Sequence, residues 1–439
     1  MKLKNDARLV RLSSVSWFKL RALAVIGAVA LLGYVVTRSF AAGPLAVFEP
    51  ETGTLASGAT TATVSGASGS GVVQFGTGAG TTPTPTPTAT ATPLTCNLNA
   101  TTSNFAVQLS AAAAGQTVCL ASGNYGTFSG ISKAITITKQ SGATPTMDVS
   151  FGNGDASFTL DGLTIAGGDI TGTAANITIK NSTFTNIIYI EPTANTRLVL
   201  DHNTHANINT CSSCYAGRVH VSGTGGTNSI TISNSLFSGG NADGIRADAD
   251  GVMIIGNTFT NIIDQDPFHS DPIQLYGGTG VTIRGNLFIG GGGGPSGNVA
   301  AGIMMADGSS NNLVEYNVFT PGNHGEAMTW YHDSGSIIQH NTLVNDTIGL
   351  GSKSACGGCS TIIRNNILGS ISNGGGGNNV GFTSSYNLFT SGSATGTGSI
   401  TGTPSYAGPV NTWLGYLLNA ASPGKNAASD GKDMGINQY

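Results

Sequence analysis

The chain has 439 residues, 65 of them Gly, with only 9% charged residues and a formal net charge of −4. That length can bury a sizeable core, and the Gly share is about twice the usual ~7%, as many tight turns with φ > 0 require. A nucleic-acid ligand needs a basic stripe; none exists beyond the first 21 residues, so that class of partner is excluded.

Six basic residues (Lys2, Lys4, Arg8, Arg11, Lys19 and Arg21) precede fifteen apolar or small ones from Ala22 to Val36, and Ser39-Phe40-Ala41 offers a small-x-small cleavage site. Residues 1–42 are therefore predicted to be a signal peptide or a signal anchor, since this apolar core falls short of the ~20 residues of a membrane span. The protein is expected to be secreted or anchored at the cell surface, touching membrane only through this segment if it is uncleaved. Residues 43–80 form a short β-rich or flexible stalk, too small to bury a core of its own. Its run from Leu45-Ala46-Val47-Phe48-Glu49-Pro50-Glu51 to Val72-Val73-Gln74-Phe75-Gly76 resembles the opening of a β-sandwich carbohydrate-binding module. Residues 81–94, rich in Thr and Pro, are an extended, uncharged linker. From residue 95 to 439 the chain is expected to fold as one body.

That body opens with Cys96, a predicted short helix over Asn104–Ala113, a strand ending Thr117-Val118-Cys119-Leu120, and a Gly123-Asn124-Tyr125 turn. A short apolar stretch then runs repeatedly into one polar turn. Ser182, Asn203, Ser235, Asn257, Asn286, Asn317, Asn341 and Asn366 form a column with gaps of 21, 32, 22, 29, 31, 24 and 25 residues. Strand-like repeats of this length, with variable insertions, mark a solenoid in which equivalent residues stack about 4.8 Å apart. Period-2 apolar pairs such as Ile177/Ile179, Leu198/Leu200 and Ile230/Ile232 supply its interior. Asn suits left-handed turn geometry, and stacked amides can bond from coil to coil. Phe184, Phe237, Phe259, Phe288 and Phe319, two residues past the column, are predicted to stack inside. The row Lys180, Asp201, Ser233, Ile255, Arg284, Glu315, Gln339 and Arg364 reads as a solvated face, with Arg284 and Glu315 paired across neighbouring coils.

The opening segment, the coils, and a closing segment carrying Tyr416-Leu417-Leu418, Ser422-Pro423-Gly424 and Asp433-Met434-Gly435 together resemble right-handed parallel β-helix proteins of the pectate-lyase-like superfamily, including chondroitinase- and alginate-lyase-like members. The resemblance covers residues 96–439. It implies an all-β solenoid with a short N-terminal capping helix, and action on polysaccharide.

A second strand precedes each turn by about 15 residues: Gly217–Val221, Asp243–Asp248, Asp271–Tyr276, Ala301–Met305 and Glu326–Tyr331. Val219, Ile245, Ile273, Ile303 and Met328 are predicted to point inward. His220, Arg246, Gln274, Met304 and Thr329 then point out, followed by Ser222, Asp248, Tyr276, Ala306 and Tyr331. On so uncharged a chain, a strip this polar is the clearest functional signal.

Its candidate catalytic groups are Asp243, Asp271 and Glu326 at strand starts, with Arg246 and His269. Solenoid spacing puts Asp243 and Asp271 about 5 Å apart. At that distance one carboxyl can stay protonated while its neighbour ionises, as paired acid and nucleophile require. Arg246 can hold a uronate carboxylate bidentately, and His269 can move a proton near neutral pH. His220, Asp248, Gln274, Tyr276, His324 and Tyr331 are candidate substrate-binding groups. The alternative for the aspartates is structural, because Asp at a strand start often satisfies turn amides.

Asn241-Ala242-Asp243-Gly244-Ile245 also resembles the Asn-Thr-Asp-Gly-Ile motif of polygalacturonase-type β-helix hydrolases. That family's Asp-Asp pair and Arg-Ile-Lys are missing here, and Asn323-His324-Gly325-Glu326 matches its Gly-His-Gly only in part. Lyase-like members commonly use a Lys or Arg base, often with Ca²⁺, yet no Lys lies on the strip. Asp264 and Asp266, followed by Asp271, offer hard oxygen ligands for Ca²⁺.

Six cysteines in an exported chain favour disulfides. Cys96 and Cys119 would clamp the opening segment, and Cys211/Cys214 and Cys356/Cys359 would each close their own loop. One zinc cannot bridge the two Cys-x-x-Cys loops, because they sit five coils, about 24 Å, apart. Three functions fit this sequence. The first is a polysaccharide lyase or hydrolase working on an acidic, uronate-containing glycan as a monomer. The second is a glycan-binding or adhesive solenoid relying on Tyr276, Trp330 and Tyr331. The third is a structural surface protein.

Overall fold

The computed structural model describes residues 59–62, 72–75 and 95–438, apart from 194–196, 211–215, 224–229, 264–269, 291–300, 306–307 and 323–325. Met1–Thr92 and Pro93–Tyr439 are separate compact units. The described part of the first is one antiparallel pair, Ala59–Ala62 with Val72–Phe75. The expected signal segment and linker lie outside the described residues, as do Cys211, Cys214, Asp264, Asp266, His269 and His324.

The second unit is a right-handed parallel β-solenoid of about 11 turns. Each coil runs through three short strands, and like strands of successive coils hydrogen-bond in parallel. In one coil these are Ile177–Lys180, Thr183–Phe184 and Ile188–Pro192, which belong to the first, second and third sheets. The next coil repeats them in register, Ile177 against Leu198, Thr183 against Thr204, and Ile188 against Val219. The period-2 pattern makes this work. Ile177, Ile179, Leu198, Leu200, Ile230 and Ile232 are buried, and the residues between them are not.

The helix Phe105–Ala111 covers the open first coil, with Phe105 edge-on to Tyr125 and Phe128. A disulfide joins Cys96 to Cys119 across the first two strands. The interior aromatic stack runs through Phe237, Phe259, Phe288 and Phe319 with ring centroids 4.3–5.0 Å apart. It contains a member that the sequence did not announce. His205 lies between Phe184 and Phe237 at 4.4 and 4.6 Å, its ring nearly parallel to both. Complete burial pulls its pKa down to about 3, so it is a neutral stacking ring.

The Asn column is the solenoid's main polar seam. Asn286 Oδ1 accepts the backbone N–H of Asn257, and Asn286 Nδ2 donates to Ile254 O and to Asn317 Oδ1, all near 2.9 Å. The same pattern continues through Asn341 and Asn366 to Asn387, one rung beyond the sequence-defined column. The left-handed conformation belongs to the residue just before the column: His202, Asn234, Tyr316, His340 and Asn365 have φ between 48° and 60°. The column residue turns inward and bonds to the next coil, and its predecessor absorbs the strain of the corner. On the first sheet's outer face, Arg284, Glu315, Gln339 and Arg364 form one continuous hydrogen-bonded row.

Candidate functional site

The polar strip occupies the outward face of the third sheet. Strand register aligns Tyr189 with His220, His220 with Arg246, Arg246 with Gln274, Gln274 with Met304, and Met304 with Thr329. Val219, Ile245, Ile273, Ile303 and Met328 are buried beneath, as alternation along a strand demands. Tyr189 was not among the sequence candidates. Its strand Ile188–Pro192 carries the same inward-outward pattern one coil earlier, which is the signal that would have found it.

Arg246 is the hub of the described face. Its Nε donates to both carboxylate oxygens of Asp248 at 3.0 Å, and its guanidinium lies 4.8 Å from the centroid of the Tyr276 ring. His220 Nε2 faces Asp248 Oδ2 at 3.3 Å, and the His220 ring lies 5.5 Å from that of Tyr189. Asp248 therefore orients both side chains, and Tyr276 stands 47% exposed over Arg246. Beside Arg246, Gln274 is only 8% exposed and its Oε1 has no hydrogen-bond partner. A buried acceptor left open this way lies ready for a donor from outside.

Two of the expected catalytic carboxylates are placed differently. Asp243 and Asp271 do sit one coil apart, on the same side, but buried beneath the polar face rather than on it. Asp243 is 7% exposed and its Oδ1 accepts the backbone N–H of Asp271 at 2.9 Å; Asp271 is 0% exposed and its Oδ1 accepts that of Ala301 at 2.9 Å. Both satisfy the first amide of the following coil, the structural alternative for Asp at a strand start.

Arg218, which alternation would turn outward, is instead fully buried. It donates to the carbonyls of His205, Ser238, Gly239 and Gly240. Burial lowers its pKa to about 10, partly offset by the charge of Asp243. Trp330, expected on a glycan-binding surface, is 0% exposed and belongs to the core.

Glu326 starts in the same backbone column as Asp271, yet its longer side chain swings outward. Its carboxylate accepts from Thr329 Oγ1 at 3.1 Å and from Ser372 Oγ at 3.2 Å. It lies over Gly349, where any Cβ would collide with it. Burial, and then the charge of Glu326, raise the pKa of nearby Tyr331. The register from Arg246 to Gly349 counts four coils, so Glu326 and the Arg246 cluster are about 19 Å apart along the groove.

A parallel coil of stacked short strands with an outward polar strip on its third sheet defines a class of protein. The family described as "Right handed beta helix region" matches residues 167–348 and 217–394, and the chain belongs to it. No curated protein is significantly similar in sequence. Among solved structures, a mutant of the PL6 family alginate lyase AlyGC is similar with a TM-score of 0.50 at 14% identity, over 78% of this chain and 56% of that one. This chain thus spans little more than half the length of that lyase. The alginate lyase AlyF-OU02 in complex with G6 is similar at 14% identity and TM-score 0.47, over 79% and 96% of the two chains. PfbA, a surface adhesin of Streptococcus pneumoniae, is similar at 12% identity and TM-score 0.31, over 62% and 82%. At these identities the likeness is one of fold.

Proposed function

We propose that this protein is an exported polysaccharide lyase that binds an acidic, uronate-containing chain along the third sheet and cleaves it by β-elimination. The observation that carries this reading is Arg246, fixed by Asp248 and covered by the Tyr276 ring, on the outward face. A guanidinium held there suits a sugar carboxylate, and neutralising that carboxylate acidifies the proton on the adjacent ring carbon. A base removes this proton, its electrons form the ring double bond, the bond to the neighbouring glycosidic oxygen breaks, and that oxygen takes a proton. Proton transfer falls to Tyr276, the exposed phenol over Arg246, and to His269, which the sequence puts at the start of the same coil. Gln274 and Tyr189 bind sugar on either side, and Glu326 and Tyr331 bind further along. The two disulfides, Cys96–Cys119 and Cys356–Cys359, favour an oxidising compartment and hence export.

Elimination is preferred over hydrolysis because the described carboxylates on this face are poorly spaced for a pair. Asp248 has Glu191 two coils back, about 10 Å, and Glu326 four coils on, about 19 Å, whereas a hydrolase's two carboxyls stand about 5 Å apart in retaining enzymes and about 6.5–9.5 Å in inverting ones. Both Asp248 oxygens are moreover occupied by Arg246. A screen of uronic-acid polymers tests the proposal. A new ultraviolet-absorbing double bond, lost in Arg246→Ala, supports it. New reducing ends without absorbance would make the enzyme a hydrolase, and binding without turnover would make it a glycan-binding solenoid.

A further inference from the structure

Charge along the groove has the wrong sign for a polyanion. Among the described residues of the third sheet's outward rows, Arg246 is the one Lys or Arg, against the carboxylates of Asp169, Glu191 and Asp248. Glu326 adds a fourth carboxylate where it swings out over Gly349. Arg218 belongs to the same sheet but is buried among the carbonyls it binds. The stretches between residues 95 and 439 that lie outside the described residues contain no Lys or Arg either.

Register sets these charges in order. Asp169 pairs with Tyr189, Tyr189 with His220, and His220 with Arg246. Asp169 therefore stands three coils before Arg246, about 14 Å, and Glu191, on the coil of Tyr189, about 10 Å. Both are exposed, and neither pairs with a described cation. Glu326 flanks Arg246 from the other side, and the Arg246 charge is itself shared with Asp248 at 3.0 Å. A chain with a carboxylate on every sugar would place one at Arg246 and the rest against like charge, the arrangement that excludes a wrong partner.

The same positions suit hydrogen-bond donors. Glu326 accepts from the hydroxyls of Thr329 and Ser372, and a carboxylate has room for more than two donors. One coil from Arg246, the buried Gln274 holds its Oε1 open. That oxygen is satisfied by a sugar hydroxyl or an acetamido N–H, and gains nothing from a second sugar carboxylate or from a sulfate, which only accept. We infer that the glycan bound here is a heteropolymer in which a uronate at Arg246 is flanked by uncharged sugars, and that Asp169, Glu191 and Glu326 exclude homopolyuronates and sulfated chains. This rests on the reading of Arg246 as a uronate site and narrows its substrate class.

Calorimetric titration of the full chain with oligosaccharides of equal length tests this. An oligogalacturonate carries a carboxylate on every sugar, a hyaluronan oligosaccharide alternates uronate with an uncharged N-acetylhexosamine, and a chondroitin sulfate oligosaccharide adds sulfate to a similar alternation. At low salt the hyaluronan oligosaccharide should bind about tenfold more tightly than either of the others, and added salt should narrow the gap by screening. Glu191→Gln and Glu326→Gln should each raise affinity for the oligogalacturonate about threefold, a gain that a misfolded variant cannot produce. Equal or tighter binding of the oligogalacturonate by the parent, a gap unmoved by salt, or no gain in either variant overturns the inference while leaving Arg246 as a uronate site. Absence of binding to all of these oligosaccharides overturns both.

Discussion

Asp243 Oδ1 receives the backbone N–H of Asp271 at 2.9 Å, so the first of two neighbouring aspartates caps the second. Asp271 in turn caps Ala301, and three successive coils are bolted together by carboxylates in place of turn residues. The sheet that carries the polar face owes its regular edge to this chain of caps.

Removing a cap strands a buried amide. Asp271→Ala is expected to destabilise the solenoid by about 1–3 kcal/mol, with Asp271→Asn milder because its amide oxygen can still accept. Chemical denaturation of the three proteins measures this. If Asp271→Ala unfolds like the parent but loses turnover, the carboxylate acts in the chemistry instead.

The Asn seam should be costlier to break. Asn317 donates to Ile283 O and Asn341 Oδ1 and accepts the N–H of Asn286, all within 2.9 Å. Asn317→Ala leaves several buried groups unpaired and is expected to cost about 3 kcal/mol or more. Asn317→Ser should recover part of that, since Ser182 and Ser235 fill equivalent rungs. Equal melting temperatures for the Ala and Ser variants would contradict this account.

His205 makes stability depend on pH in a definite direction. Its pKa is about 3 in the fold against 6.5 as a reference, so between those values the unfolded chain binds the extra proton. Its contribution is complete above pH 6.5 and is lost as pH falls toward 3, amounting to a few kcal/mol. His205→Phe, matching its stacked neighbours, should flatten this part of the profile. Parallel melting curves for parent and variant from pH 7 to 4 would show that the ring does not titrate on unfolding.

In the groove, Arg246→Lys should behave much like Arg246→Ala, because an ammonium cannot reproduce the Nε contact to Asp248 together with the stacking on Tyr276. Both are expected to lower affinity for a uronate polymer about tenfold or more, and Arg246→Ala should also lower the melting temperature, since the Arg246–Asp248 pair is only 13% and 16% exposed and Asp248 would lose its partner. Calorimetric titration with oligouronates checks this, and a Lys variant that binds as the parent does would remove Arg246 from carboxylate recognition.

Much of the fold is legible in the chain. The pairs Ile177/Ile179 and Leu198/Leu200, the Asn column and the Phe stack name the coil, its corner and its interior, because alternation and repeat length are local properties of a strand. The outward column from His220 to Thr329 follows from the same rule. The rule fails where a side chain reaches beyond its own position. Arg218 turns in to collect carbonyls of its own coil (His205) and of the next (Ser238, Gly239, Gly240), and Glu326 swings out over Gly349, where the missing Cβ leaves it space.

By itself, the sequence pointed to a parallel solenoid with a charged row on one outer face and a more varied polar strip on another, since periodic burial of Ile, Val and Phe with a constant corner residue fits stacked coils. Only the tertiary structure decided which polar groups face outward there and which turn in to hold the backbone. Asp271 is buried because the amide it caps belongs to Ala301, thirty residues on, and Arg246 lies half-buried on the outward face because Asp248 and Tyr276 hold it there. A polar side chain goes where its partner is: for Asp271 that partner comes from the next coil, and for Arg246 from two residues along its own strand.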